Sequence, residues 1–168
     1  VGLASGSNKY LENSGSLTLA QTSTSYGSAA VFDADLDGDM DIWGDDGYLY
    51  TNDGTESFTA ASPDGQGSVV IDLVTEALPV DVDGDGDLDV VQSSGTGTNS
   101  LLINSGGAFT TSSNAFGTAT YATKDVEVID AEGDGDWDII FANNSESTVE
   151  LWLNDGAGSF SSVTTPFG

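Results

Sequence analysis

The chain has 168 residues and a formal net charge of -26, because 28 Asp and Glu outnumber two Lys and Arg and there is no His. Its two basic side chains, Lys9 and Lys124, cannot form a patch for nucleic acid or for an anionic membrane surface. Because it has neither Cys nor His, zinc and copper sites built on thiolate or imidazole are excluded. Its 38% hydrophobic residues exclude a disordered acidic tail, and no apolar run is long enough for membrane insertion.

Short strands and turns follow one another along the chain, and no stretch has the period of a helix. Residues 8–20 predict two strands joined by a hairpin at Asn13, since the Asn-Ser-Gly sequence there tolerates positive φ. The next unit, residues 26–60, predicts four strands, at 29–33, 41–44, 48–52 and 57–60. Residues 65–112 repeat this order, and residues 117–163 repeat it with strands at 126–130, 138–142, 149–154 and 159–163.

Three markers recur in step along these units. An aspartate-rich segment begins at Asp33, Asp81 and Asp130, at intervals of 48 and 49 residues (81 − 33 and 130 − 81). A hairpin beginning with Asn follows each segment, at Asn52, Asn104 and Asn154. Residue pairs ending in Gly separate the units, at Tyr26-Gly27, Asp64-Gly65, Phe116-Gly117 and Phe167-Gly168.

Four short strands per unit of nearly 50 residues indicate the blade of a β-propeller. We therefore predict a single all-β repeat domain, residues 1–168, of about three and a half four-stranded blades. The half blade is 8–20, and the whole blades are 26–60, 65–112 and 117–163.

Each aspartate-rich segment, here called an acid loop, has nine residues in the pattern Asp-x-Asp/Glu-x-Asp-Gly-Asp-x-Asp. Acids at positions 1, 3 and 5 alternate within a tight turn, so their carboxylates converge, and Gly at position 6 permits the bend. Position 7 can offer its backbone carbonyl, and Asp at position 9 closes the shell. This all-oxygen donor set suits Ca²⁺ better than Mg²⁺, which prefers fewer carboxylates. An EF-hand would need Glu at position 12, where this chain has Gly44, Gln92 and Phe141.

The acid loops therefore predict three Ca²⁺ sites with a structural role, because each loop lies between two strands of one blade. Carboxylates crowded into one turn repel one another, so keeping them all ionised in the fold without the ion should cost much free energy. Plain solvated turns are the alternative, since Asp-rich turns also occur without metal. Three copies with the same glycine and the same flanking strands favour metal binding.

The acid loop with its trailing Asn-x-Gly-x-x-Phe hairpin resembles the FG-GAP/VCBS repeat family, whose blades also form the propeller of integrin α-subunits. The resemblance covers about residues 8–168 and implies one Ca²⁺ per loop in a propeller that this chain is part of or completes, usually seven-bladed. Glu132 departs from the usual Asp and is expected to reshape the third site. The implied ligands, with position 7 contributing its backbone, are Asp33, Asp35, Asp37, Asp39, Asp41, Asp81, Asp83, Asp85, Asp87, Asp89, Asp130, Glu132, Asp134, Asp136 and Asp138.

Members of this family are typically exported, which implies a secreted, extracellular or cell-surface protein. A Ca²⁺ site of weak to moderate affinity also fills only where calcium is near millimolar, outside the cell. The leading hypothesis is a calcium-stabilised structural or adhesive module of a surface, matrix or filament protein. Its expected partners are other blades or copies of itself, because open blade edges invite pairing, together with protein or glycan ligands.

The alternative function is a carbohydrate-binding module attached to a secreted enzyme or adhesin, with Trp43, Trp137 and Trp152 as stacking platforms. Interior packing is the favoured interpretation of these aromatics, because they lie near strands. Catalysis is not expected, because the usual nucleophile–base pairs need His or Cys. Paired carboxylates can hydrolyse glycosides, but the acid loops already account for the clustered acids.

Overall fold

A computed structural model describes residues 11–13, 19–21, 30–55, 57–63, 74–144 and 149–163. The regular structure in these ranges is all β-strand, and they contain no helix long and apolar enough to cross a membrane. Outside the described residues lie Lys9 and three of the predicted unit boundaries, Tyr26-Gly27, Asp64-Gly65 and Phe167-Gly168.

The described strands form three four-stranded antiparallel sheets and one two-stranded sheet. The two-stranded sheet pairs β1 (Leu11–Asn13) with β2 (Leu19–Gln21). The first four-stranded sheet contains β3 (Ala30–Phe32), β4 (Asp41–Trp43), β5 (Leu49–Asn52) and β6 (Phe58–Ala61). The second contains β7 (Val74–Val80), β8 (Asp89–Ser94), β9 (Ser100–Ser105) and β10 (Ala108–Ser112). The third contains β11 (Thr123–Ile129), β12 (Asp138–Asn143), β13 (Val149–Asn154) and β14 (Phe160–Val163).

Each four-stranded sheet is a meander in which spatial order follows sequence order. The acid loop joins the first strand to the second, and the asparagine hairpin joins the third to the fourth. The predicted all-β class is therefore confirmed, and the sheets are blade-like. One strand is longer than predicted: β11 begins at Thr123 rather than at residue 126, because a bulge between Thr123 and Asp125 lets pairing with β12 continue.

Two hydrophobic clusters lie between the sheets. The first joins the first and second sheets, with Phe32, Trp43 and Leu49 on one side and Leu102 and Phe109 on the other. The second joins the second and third sheets, through the side chains of Val80, Val82, Val91, Leu101, Phe116, Val126, Ile139 and Phe141. The hydrophobic faces of the sheets are therefore buried against neighbouring sheets, as layer packing requires.

The second sheet is covered on both faces, and its sequence shows why. Neighbouring residues of β8 point to opposite faces, so Val90 packs in the first cluster and Val91 in the second. Leu102 and Leu101 of β9 divide in the same way. Every residue of β8 is buried, as expected for a strand with apolar neighbours above and below it.

Phe116 of the Phe-Gly pair lies at the centre of an aromatic group in the second cluster. Its ring centroid is 4.9 Å from that of Phe141, 5.0 Å from that of Phe160 and 5.8 Å from that of Trp152. Gly117 follows with a φ of 73°, which suits glycine at a turn. The Phe-Gly pair therefore ends one blade and anchors the connection to the next in the core.

The first strands of the second and third sheets also meet through hydrogen bonds. The Thr75 hydroxyl donates to the carbonyl oxygen of Thr123 at 2.9 Å. The backbone N–H of Val126 donates to Glu76 Oε2 at 3.2 Å. These bonds bring the carboxyl group of Glu76 beside β11.

Candidate metal centres

The last aspartate of each acid loop is buried and ties the loop to the asparagine hairpin of its own sheet. Asp89 accepts hydrogen bonds from the backbone N–H groups of Val82 at 2.9 Å and Asn104 at 2.8 Å, one on each carboxylate oxygen. Asp41 and Asp138 accept the equivalent pairs at 2.7–2.8 Å, from Ala34 and Asn52 and from Ala131 and Asn154. Because bonds to a charged acceptor are strong, position 9 holds the loop in shape.

The first aspartate of each loop is held by the backbone that wraps around it. Asp81 accepts from the N–H groups of Gly84 at 2.8 Å and Gly86 at 3.1 Å. Asp33 and Asp130 accept equivalent bonds from their own loops. At position 5 the side chain closes a local turn, since Asp85 accepts from the N–H of Asp87 at 2.9 Å. The sequence pattern therefore folds each loop around its own carboxylates.

Carboxylates converge in the first two loops. Oxygens from Asp33, Asp35 and Asp37 lie within 4.8 Å of one another, and so do oxygens from Asp81, Asp83 and Asp89. Either group could hold a metal ion, since hard divalent cations take such oxygen ligands. Within the third loop, all of which the structure describes, no three carboxylates come this close.

The side chain at position 7 points toward the hairpin of its own sheet. The N–H of Gly106 donates to Asp87 Oδ2 at 2.6 Å. A Cβ placed on Gly54 or on Gly156 would lie 2.5 Å from the facing Oδ2 of Asp39 or Asp136. This orientation is compatible with the backbone role that the family resemblance implies for position 7.

A hairpin from the following sheet covers each of the first two loops. Asn104 Nδ2 donates to the carbonyl of Ala34 at 2.9 Å, and Asn154 Nδ2 donates to that of Val82 at 2.7 Å. Gly107 lies so close to the first loop that a Cβ there would be 2.7 Å from Asp35 Cβ. As a result Ala34 and Val82 are buried, whereas Ala131, at the same position of the third loop, is exposed. In the described part of the chain no hairpin covers the third loop.

This bridging role of asparagine was missed at the level of sequence. The similar spacing of Asn104 and Asn154 from the start of their acid loops, 23 and 24 residues (104 − 81 and 154 − 130), was the available signal, but the sequence marks them as turn residues. Asn104 Nδ2 also donates to the carbonyl of Leu88 in its own loop, at 3.1 Å. One amide therefore joins two loops from neighbouring sheets.

The packed loops disfavour full ionisation of their acids. Burial, followed by the charges of Asp41 and Asp37, raises the pKa of Asp35. Burial raises the pKa of Asp89 to about 6, although the N–H groups of Asn104 and Val82 oppose this shift. Burial, together with the charges of Asp85 and Asp81, also raises the pKa of Asp83. A bound cation would relieve this penalty, because it favours the ionised carboxylates.

The three tryptophans have different environments. Trp43 is fully buried and stacks edge-on against Phe109, with ring centroids 5.1 Å apart, and Trp152 packs against the second cluster. Interior packing is therefore confirmed for these two residues. The prediction of interior packing is wrong for Trp137, which is 45% exposed, because position 8 of the third loop faces outward.

Stacked four-stranded meanders, with an acid loop in each and carboxylates gathered in two of them, define a β-blade repeat protein with candidate metal-binding loops. The sequence model of FG-GAP-like repeats matches residues 81–141, from the second acid loop into β12, and confirms the family resemblance over this segment. No curated protein and no solved structure shows significant similarity to the chain.

Proposed function

We propose that this protein is a calcium-stabilised structural and adhesive module of an extracellular or cell-surface protein. The convergence of three carboxylates in each of the first two acid loops is the observation that carries the proposal. The FG-GAP-like repeat over residues 81–141 supports a role in adhesion or assembly. A binding and structural role, rather than catalysis, accounts for the clustered acids.

Calcium is the cation that these loops suit best. Their donors are carboxylate and carbonyl oxygens, which hard cations prefer, and the chain has no imidazole or thiolate to favour zinc. Irregular loops with many carboxylates accommodate the flexible coordination of Ca²⁺ more readily than the strict octahedron of Mg²⁺. Three ions would change the formal net charge from -26 to -20 (-26 + 6), which reduces self-repulsion.

An extracellular location follows from the affinity expected of such sites. Exposed loops in extracellular modules bind Ca²⁺ in the range of about 10⁻⁴–10⁻³ M, so they fill only where calcium is abundant. The carbonyl oxygens of Ala34 and Val82 each accept a hydrogen bond from a hairpin asparagine. Ala131 of the exposed third loop would accept the same bond from a further hairpin. We infer that another blade or a second copy packs on this face.

Chelation tests the proposal. With Ca²⁺ at about 100 times its dissociation constant, each site that binds only the folded state adds about 2.7 kcal/mol to the free energy of unfolding. We expect urea unfolding to shift strongly to lower urea when EDTA replaces calcium, and Mg²⁺ to restore little of the loss. Identical unfolding curves in calcium and in EDTA would rule out structural calcium.

A matched pair of variants assigns the effect to the loops. Asp83→Asn should lose about one site's share of the calcium response, because Asp83 is one of the converging carboxylates. Glu127→Gln makes the same change of charge on an exposed position of β11 and should keep the full response. An equal calcium response in the two variants would count against the second loop as a site.

Carbohydrate binding is a second candidate function, favoured by the exposure of Trp137 beside an acid loop. Exposed aromatic rings provide apolar area with a defined geometry for ligand contact. A glycan array probed with the wild type and with Trp137→Ala would detect it as binding that the variant loses.

A further inference from the structure

A cavity of about 150 Å³ lies between the second and third blades and shares Asp81 with the converging carboxylates of the second loop. Asp81 and Gly84 of the second loop line one side of it. Asp136 and Trp137 of the third loop, with Asn154 and Gly156 of the third hairpin, line the other. Since a single water needs only about 10–15 Å³ on this measure, the cavity has room for a partly hydrated ion.

Asn154, one of the lining residues, carries an unpaired acceptor. Its side chain is 5% exposed, and its Nδ2 donates to the carbonyl oxygens of Val82 at 2.7 Å and Trp137 at 3.2 Å. These two bonds fix the orientation of the amide group, because only its nitrogen can donate a hydrogen bond to a carbonyl oxygen. Its Oδ1 is buried and has no hydrogen-bond partner. Buried polar atoms without partners are rare, and such an atom in a residue that lines a cavity points to a ligand.

The asparagine acceptor is satisfied in both other repeats, and the position-7 carboxylate is satisfied in the second. Asn52 Oδ1 accepts from the N–H of Gly54 at 3.2 Å, and Asn104 Oδ1 accepts from that of Gly107 at 2.9 Å. Asp87, the counterpart of Asp136, accepts from Gly106 at 2.6 Å. Among the described residues, none donates a hydrogen bond to the carboxylate of Asp136. The third repeat therefore leaves two acceptors open where the cavity lies.

We propose that this cavity binds a divalent cation, Ca²⁺ in an extracellular setting, between the second and third blades. Asp81 and Asp136 would supply carboxylate oxygen, and Asn154 Oδ1 would supply a neutral oxygen, with water completing the shell. None of the described residues that line the cavity is basic, so none balances the two carboxylates. A water molecule alone would satisfy Asn154 but would leave that charge unbalanced, so a cation is the better complement.

This site is additional to the loop sites of the proposed function and differs from them in location. It lies between two blades, so its ion would join them directly. Asp81 belongs to both sites, since one carboxylate can bridge two cations. Occupancy of the cavity and occupancy of the loops can therefore be observed separately by the position of the bound ion.

Crystals of the whole chain grown with Tb³⁺ in place of Ca²⁺ would test the proposal, because anomalous scattering locates each ion. The expected result is a peak between Asp81 and Asp136 in addition to peaks within the loops. Ordered water without an anomalous peak in the cavity, while the loops are occupied, would overturn the inference and leave the proposed function intact. A peak in the cavity with empty loops would support the inference and overturn the proposed function.

Two variants add a measurement in solution, the number of Ca²⁺ ions retained per chain in native mass spectrometry. Asp136→Asn should lose the cavity peak and one bound ion, while the peak of the second loop remains. Asp155→Asn makes the same change of charge in the hairpin that faces Asp136, but the Asp155 carboxylate accepts from the N–H groups of Ala157 and Ser159 and does not line the cavity. It should keep the cavity ion. Retention of the cavity peak in Asp136→Asn would contradict the assignment of its ligand.

Discussion

Glu76 on β7 and Asp125 on β11 bring two carboxyl groups together where the second and third sheets meet. The N–H of Val126 also donates to Glu76. Burial, then the hydrogen bond to Asp125, raises the pKa of Glu76 to about 7. The pair therefore holds a proton near neutral pH, which lets one carboxyl group donate to the other.

The pair predicts an unusual pH dependence of stability. The folded state binds the proton of Glu76 more tightly than the unfolded chain does, because its pKa is raised from 4.5 to about 7. The free energy of unfolding should therefore fall as pH rises through this range and level off above it. Urea unfolding at pH 6 and pH 8, in excess calcium, measures the difference.

Glu76→Gln should remove most of this difference and should be more stable than the wild type at pH 8. The substituted amide can donate to Asp125 and accept from Val126 without a proton. Glu127→Gln removes a more distant charge and should also reduce the difference in stability between pH 6 and pH 8, but by less. A wild-type stability that rises from pH 6 to pH 8 would show that the pair is not protonated in the fold.

Single residues also show where sequence interpretation reaches its limit. Asp89 was predicted as a metal ligand, and it is also a buried acceptor of two backbone N–H groups. Leu36 occupies a loop position where Gly84 and Gly133 have a φ of 76°, and it adopts a φ of 61° itself. The burial of Asp89 could not be predicted locally, because it depends on the sheets that pack around it. The positive φ of Leu36, which is 55% exposed, follows the loop instead, and Gly at the same position of the other two loops was the available signal.

At the scale of elements, the acid loop and the next hairpin form one structural unit. Gly107 has a φ of 87° and fits against Asp35 of the preceding loop. Gly106 has a φ of 61°, but no atom lies within 4 Å of the Cβ position there. Both glycines therefore adopt positive φ, and Gly107 must in addition leave room for Asp35.

This contrast predicts different effects of alanine. Gly106→Ala should lower the free energy of unfolding by about 1 kcal/mol, the cost of a left-handed backbone for an L-residue. Gly107→Ala should lose about 1–3 kcal/mol more, because its Cβ would push into Asp35. It should also weaken Ca²⁺ binding at the first loop, which calorimetric titration measures. Equal losses of stability and unchanged calcium affinity in the two variants would refute the close fit.

The strands were the most predictable elements. The prediction for residues 149–154 matches β13, because hydrophobic residues there are followed by an Asn-Asp-Gly turn. The extension of β11 to Thr123 was not predictable, since the bulge depends on pairing with β12 and contact with the second sheet. Local sequence specifies turns well, whereas strand length is decided by the partner.

At the scale of the whole molecule, the repeat period predicted stacked sheets. The structure shows in addition which hydrophobic residues pack between neighbouring sheets. Two clusters, one on each face of the second sheet, replace a single central core. Convergence of the carboxylates differs among the loops, and sequence alone could attribute this only to Glu132. The structure adds a second difference, since hairpins cover the first two loops but none covers the third among the described residues.

The net charge of -26 gives a prediction for the metal-free protein. Self-repulsion destabilises a compact chain with such a charge, and salt screens it over about 8–10 Å at ordinary ionic strength. We expect the melting temperature in EDTA to rise when NaCl increases from about 0.05 to about 0.5 M. The rise should be smaller with calcium bound, where the most crowded carboxylates are already neutralised. A melting temperature in EDTA that is independent of NaCl would count against repulsion as the destabilising force.

The hydrogen bonds from Asn104 to Ala34 and from Asn154 to Val82 run backwards along the chain, over 70 and 72 residues. Because a ribosome releases the N-terminus first, each loop emerges well before the hairpin that closes over it. A nascent chain would therefore carry its latest one or two loops open and any earlier loop closed. Maturation of the candidate ion sites would trail the growing end by more than one repeat.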